Sequence, residues 1–200
     1  MTAMSEESEH EVTRLLEAIQ AGRCDARDAL VKTMYAELHC LADRLMKDER
    51  TTHTLQPTAV LNEAMLKVLR PRSLANLTNR VSFVAACATA MRQVLCDHAR
   101  KRRAQKRGGD ARRQPLTEDL VQFDGRLVEL LALDEALCDL RQLKARHEEV
   151  VTLRYFGGLS IKEIAGHCEV AHKTVELDLR LARAWLRRRL AGDDAGPQTE

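Results

Sequence analysis

The sequence predicts an all-α fold, and three observations predict it. Glycine and proline are scarce, at nine and four of 200 residues, while Ala, Leu, Arg and Glu abound. Those four are helix formers or tolerate helix well. Apolar residues also recur at three- and four-residue spacing along most of the chain, the mark of helices with one buried face. Aromatics are only 3% against 44% hydrophobic residues, so the core must come mostly from Leu, Val and Ala. The length suits one large domain or two small ones.

The elements can be taken in order. The acidic start "SEESEHE" is expected to fray over its first ten or so residues. Helical spacing then covers 11–21 and 26–47, where Leu30, Met34, Leu38, Leu41 and Leu45 form one face. "TTHTLQPTAV" interrupts. Pro57 and Thr58 open a third helix, "TAVLNEAMLKVLR", which must stop before Pro71. "PRSLANLTNR" reads as a loop. A long helix comes next over about 81–103, with Phe83, Val84, Cys87, Met91, Val94, Leu95 and His98 or Ala99 on one stripe. "KRGGDARRQPLTEDLVQFDGR" breaks the periodicity and reads as a linker. Helices resume as "LVELLALDEALCDL", "ARHEEVVTLRYF", "IKEIAGHC" and "HKTVELDLRLARAWLRRRL". The tail "AGDDAGPQTE" is expected to be disordered. No internal repeat is visible.

The last two helices carry the sharpest local signal. "RYFGGLS" ends one helix with a Gly pair, which supplies a left-handed cap cheaply. Ser160 is a good N-cap, and Glu163 three residues on completes a capping box. Ile161, Ile164, Ala165 and Cys168 share one face, and Val170 can fill the corner after "CEV". The next helix buries Val175, Leu179, Ala182 and Leu186. It presents His172, Lys173, Thr174, Glu176, Leu177, Arg180 and Arg183 on the other side. Two short helices at this spacing match a helix-turn-helix whose second helix enters a major groove. A purely structural hairpin would need neither the small residue at the crossing nor the basic end at 187–189, which suits phosphates.

Charge is unevenly spread. The net charge is only +2, yet residues 92–113 hold nine Lys or Arg against two Asp. Such a run fits a polyanion surface or a solvated helix face. The six cysteines, Cys24, Cys40, Cys87, Cys96, Cys138 and Cys168, include no Cys-x-x-Cys pair. They read mostly as small core residues of a reducing cytoplasm, with no zinc site or disulfide framework. No apolar run approaches the roughly 20 residues needed to span a bilayer, and nothing reads as a signal peptide.

With those residues in place, the chain resembles the extracytoplasmic-function sigma factors of bacterial RNA polymerase. "LALDEAL…VVTLRYFGGLSIKEIA…KTVELDLRLARAWL" is similar to their region 4. "LQPTAVLNEAMLKVL" resembles the region 2 helix that docks on polymerase. "NRVSFVAACATAMRQVLCDHARKRRAQKRGG" resembles the region that reads and opens the −10 element. The likeness runs in order over roughly 12–190. It implies a region 2 helical bundle at 12–105, a flexible linker at 106–126 and a region 4 helix-turn-helix at 127–190.

The resemblance also implies roles. Asn62, Glu63, Met65, Leu66 and Lys67 would bind the core enzyme; by spacing alone Glu63 is an ordinary exposed charge. Arg80, Arg92, Arg100, Lys101, Arg102 and Arg103 would hold −10 DNA. The loop at 74–80 would accept a flipped base, and unstacking that base costs a few kcal/mol. His172, Lys173, Thr174, Glu176, Leu177, Arg180 and Arg183 would read the −35 element. Partners would be core RNA polymerase, promoter DNA and, as is common in the family, an anti-sigma factor, which no segment here identifies. No cofactor, metal, small-molecule substrate or membrane insertion is expected.

Several residues depart from the family pattern. Ala171 stands where a Ser usually caps the recognition helix, a loss of about 1 kcal/mol. Glu176 and Leu177 occupy two usually basic positions. Glutamate can accept from cytosine but repels phosphate, and Leu177 offers only apolar contact, as to a thymine methyl. Leu77 replaces a Trp, and Lys144-Ala145 replaces an Asp-Pro. The runner-up is a helix-turn-helix regulator that works without polymerase, although no receiver or ligand domain is visible. A third reading is a sigma-like interaction module with weakened DNA binding. Enzyme chemistry is the poorest fit: there is no phosphate-binding Gly loop, nucleophile elbow or metal-spaced His/Cys set. Cys96 and His98 lie two apart on one helix and point in different directions. His172 reads as a groove-facing or exposed helix start.

Overall fold

The computed structural model describes residues 6–23, 25–46, 55–107 and 118–191. Nine α-helices and one π-helical turn occupy them, and no strand occurs among the described residues. The all-α expectation is met. The chain divides into two compact units, residues 1–94 with 156–159, and residues 95–155 with 160–200.

In the first unit, α1 spans Glu6–Gln20. It starts before the apolar periodicity does, which corrects the expected fraying up to residue ten. Gly22, at φ 84°, takes the left-handed turn that closes α1. α2, Asp25–Leu45, carries Asp25 and Asp28 in its first turn and buries Ala26, Leu30, Met34, Leu38, Leu41 and Ala42. It packs on α1 and on α3.

α3, Pro57–Val68, begins with Pro at its first turn, where the missing N–H is no loss. Val60, Leu61, Ala64, Met65 and Val68 face inward. The expected loop at 71–80 instead holds a short helix, α4, Pro71–Leu74. A second helix-starting Pro and the buried Leu74 explain it. α5, Arg80–Arg107, is started by Asn79, and from Leu95 on its residues belong to the second unit. The Asn79 side chain accepts from the Ser82 N–H at 2.8 Å, and the Ser82 hydroxyl accepts from the Asn79 N–H at 3.1 Å. Phe83, Val84, Cys87, Met91, Val94, Leu95 and Ala99 form its buried stripe, so Ala99 rather than His98 completes the pattern.

In the second unit, α6 spans Glu118–Leu143 and α7 spans Ala145–Val151, with only Lys144 between them. Helix therefore occupies both ends of the stretch at 106–126 that reads as linker, and Gly125 lies inside α6. One interior Gly costs only about 1 kcal/mol relative to Ala. Residues 108–117, Cys24 and the tail beyond Ala191 lie outside the described residues, as does "TTHT" at 51–54. The helix expected through 145–156 changes pitch at Thr152 into a π-helical turn, Thr152–Phe156. There the Thr152 hydroxyl donates to the buried Glu148 carboxylate at 2.8 Å. α8, Ile161–His167, and α9, His172–Ala191, complete the unit. α9 packs on α6, α7 and α8.

Candidate nucleic-acid interface

α8 is set by its cap. The Ser160 N–H donates to Glu163 Oε2 at 2.8 Å, and the Glu163 N–H donates to Ser160 Oγ at 3.2 Å, closing the capping box. Gly158 precedes it at φ 67°. Ile164 and Ala165 are buried, while Ile161, Cys168 and Val170 are half-buried. The turn into α9 passes through Glu169 at φ 54°, a left-handed conformation that a side chain other than Gly or Asn rarely takes. Ala171 starts α9 with its backbone carbonyl alone, accepting from the Thr174 N–H at 2.9 Å.

Two polar anchors fix how α9 is rotated. Asp178 is almost fully buried on its inner face, among Val175, Leu179, Ala182 and Leu186. Its carboxylate accepts from Arg146 Nε of α7 at 2.7 Å and lies 3.2 Å from His147 Nε2. That carboxylate also raises the Arg146 pKa above its ordinary value. Farther along, Arg189 donates to Asp139 of α6 at 2.9 and 3.1 Å. Sequence reasoning misses both anchors. A carboxylate at 178, inside an apolar stripe, is the signal that could have shown the first, because a buried acid needs a cationic partner. At 187–189, Arg187 and Arg188 are exposed and Arg189 is spent on Asp139.

With α9 held so, Lys173, Leu177, Arg180, Ala184 and Arg187 recur at alternating four- and three-residue steps opposite the buried stripe, and all five are exposed. This ridge is convex, basic and narrow at Ala184. Such a helix fits a B-DNA major groove about 12 Å wide. His172 and Glu176 are exposed on one flank, and Thr174 is half-buried. Arg183 lies on that flank too, with its guanidinium 5.3 Å from the ring centroid of Tyr155.

The long basic helix α5 is less open than its composition suggests. Arg80 is buried, and its Nε donates to Glu37 Oε2 at 3.2 Å with a second close contact from its Nη2. Arg92 is also buried. These two guanidiniums therefore face protein, which corrects their placement on a DNA surface: position 80 is the first turn, beside α2, and position 92 is one residue from the core stripe at Met91. Arg102 is half-buried. Lys101 and Arg103 are exposed, and Arg100 is exposed while donating to Asp134 at 2.7 Å. In the stretch 74–80, Leu74 and Leu77 are buried, and Gln20 donates to the Leu77 carbonyl at 3.0 Å.

On α3, Asn62, Glu63 and Leu66 are exposed, Leu66 by 71%, and Lys67 is half-buried. Met65 is only 5% exposed and belongs to the core, a correction to its reading as a docking residue; it comes four positions after Leu61 and three before Val68. The cysteines are also corrected: Cys87 and Cys96 are buried, but Cys40 and Cys138 are exposed and Cys168 is half-buried. Burial pushes the Cys87 thiol far up, and burial followed by Glu149 pushes Cys168 to about 11, so neither is a ready thiolate.

A helix-turn-helix with an outward basic ridge is shared by many DNA-binding proteins, so the ridge alone does not name a family. The family model described as "ECF sigma factor" matches residues 9–192. The chain belongs to that family. The match spans both compact units, which a helix-turn-helix regulator of other type would not explain. Membership implies the role of a sigma factor that binds RNA polymerase, with polymerase and promoter DNA as partners. No curated protein matches the chain. Among the described residues, no helix is long and apolar enough to cross a membrane.

Proposed function

We propose that this chain directs RNA polymerase to promoters by a division of labour between three surfaces. The exposed face of α3, Asn62, Glu63 and Leu66 with Lys67, binds the core enzyme. Lys101 and Arg103, with Arg100 and Arg102, hold the −10 element during opening. The ridge Lys173, Leu177 and Arg180 of α9 reads the −35 element, flanked by His172, Thr174, Glu176 and Arg183. The corresponding layout is region 2 at 12–105, linker at 106–126 and region 4 at 127–190. The chain itself does no covalent chemistry. It works in the cytoplasm, as the family does, and an anti-sigma factor is a further partner of the kind the family uses.

The observation that carries this reading is the α9 ridge, rotated outward by the Asp178 anchor, in a chain matched by the family along nearly its whole length. Run-off transcription tests it. The purified chain added to core polymerase should start transcripts at promoters selected from a random library. A chain that binds duplex DNA by itself and never associates with core enzyme is instead a free-standing regulator. The uncapped start of α9 and the exposed Glu176 on its flank favour one second reading, a sigma-like module with weak DNA binding. Association with core enzyme but no promoter selection would establish that alternative.

A further inference from the structure

Tyr155 has no place in the core. The residue is 44% exposed, although Thr152, Leu153 and Phe156 of the same π-helical turn are buried. A π turn inserts one residue relative to α pitch, and such insertions cluster at functional sites. Here the ring lies under Arg183 of α9, 5.3 Å from guanidinium carbon to ring centroid. We infer that Tyr155 is a positioning residue that holds Arg183 against a DNA backbone phosphate beside the groove read by α9. This deepens the proposed function and rests on it.

The chemistry comes from how a guanidinium stacks. A planar cation over an aromatic face is attracted to it, yet its N–H groups radiate in its own plane and stay available. Two of those donors can take one phosphate in a bidentate contact. An arginine on an exposed helix otherwise samples many rotamers, and ordering it opposes binding. The ring removes part of that cost beforehand. The placement also fits the rest of the flank. Glu176 lies one heptad before Arg183 on the same side of α9 and repels phosphate, so the anchoring cation must act farther along the helix.

Two measurements test this. The first uses the full-length free chain. In its NMR spectrum the Arg183 side-chain Nε–H should be shifted upfield by the tyrosine ring current. Tyr155→Phe should keep that shift, and Tyr155→Leu should abolish it. An Arg183 signal that ignores Tyr155→Leu overturns the inference, whatever the chain does with DNA.

The second uses holoenzyme and a promoter duplex it has selected, with affinity measured across salt concentration. Arg183→Ala should weaken binding several-fold and lower the salt slope by about one. Tyr155→Leu should weaken it by a similar or smaller factor, and by nothing further when Arg183 is already Ala. Tyr155→Phe should bind as wild type. An equal loss from Tyr155→Leu with and without Arg183 overturns the inference, because the ring would then act by itself. Holoenzyme that forms but selects no duplex defeats the proposed function together with this inference. Selection without coupling between the two residues defeats this inference alone.

Discussion

α5 and α9 are the two basic helices of the molecule, and they bury opposite charges. α5 turns arginines inward: Arg80 meets Glu37, and Arg92 is covered. α9 turns a carboxylate inward, Asp178, and borrows from α7 the Arg146 cation and a close His147 ring nitrogen. The result is that α5 loses part of its positive surface to its own fold. α9 keeps Lys173, Arg180 and Arg187 for the outside. A count of lysines and arginines therefore overstates the DNA surface of α5 and describes that of α9 well. The sign of the buried partner decides how much of a helix's charge is available.

The contrast can be broken first at its anchors. Asp178→Ala leaves Arg146 and His147 without their acceptor and should cost about 3 kcal/mol of stability by chemical denaturation. Glu37→Ala should cost about 2 kcal/mol, less because that carboxylate is partly hydrated. Equal and negligible losses at both sites would show that neither pair sets its helix.

The next largest effect separates the surfaces. Arg100, Lys101 and Arg103 changed together to Ala should weaken opening of a duplex promoter on the order of tenfold, since each phosphate contact carries about one unit of salt slope. Binding to a promoter already melted around −10 should show the same loss. Lys173→Ala with Arg180→Ala should instead leave −10 binding intact and abolish preference at −35. The same profile from both sets would erase the division between α5 and α9.

A smaller gain sharpens it. Ala171→Ser should cap α9 and stabilise the chain by about 1 kcal/mol, seen as a rise in Tm of several degrees. Lys144→Asp should do the same for α7, whose start has no side-chain cap. The smallest effect depends on pH. A hydrogen bond from His167 holds the Glu149 carboxyl below its ordinary value, against the opposing influence of burial. Its folded pKa is depressed, so the contribution is present above the ordinary carboxylate range and is lost as pH falls through the folded value. Glu149→Gln should lower stability by a few tenths of a kcal/mol at neutral pH, and the difference should shrink as pH falls below the ordinary carboxylate range.

Much of this molecule is legible in its sequence, for identifiable reasons. The buried faces of α2, α5, α8 and α9 come from period and hydrophobicity, and the capping box at Ser160 and Glu163 comes from spacing. The outward residues of α9 are obtained by subtraction from its core stripe. The hidden features depend on tertiary neighbours. Arg80 looks like any arginine beside a basic helix until Glu37, 43 residues earlier, is brought to it. Met65 is read outward only if its helix is rotated by one residue. Asp178 and Arg146 lie 32 residues apart, and the pitch change at Thr152 has no periodic signal at all. Glu169 gives no warning that the turn requires positive φ.

The pitch change at Thr152 also bears on the length of the chain. Losing any one residue within 152–156 would restore ordinary α pitch, and four residues at about 100° each would then cover nearly the rotation that five cover in the wider turn. The wide turn that carries Tyr155 outward would be lost, while the backbone downstream would keep nearly its present rotation. Length in this five-residue stretch is therefore under looser constraint than inside α7 or α9, and a one-residue deletion there should cost the outward Tyr155 yet be better tolerated than one within either helix.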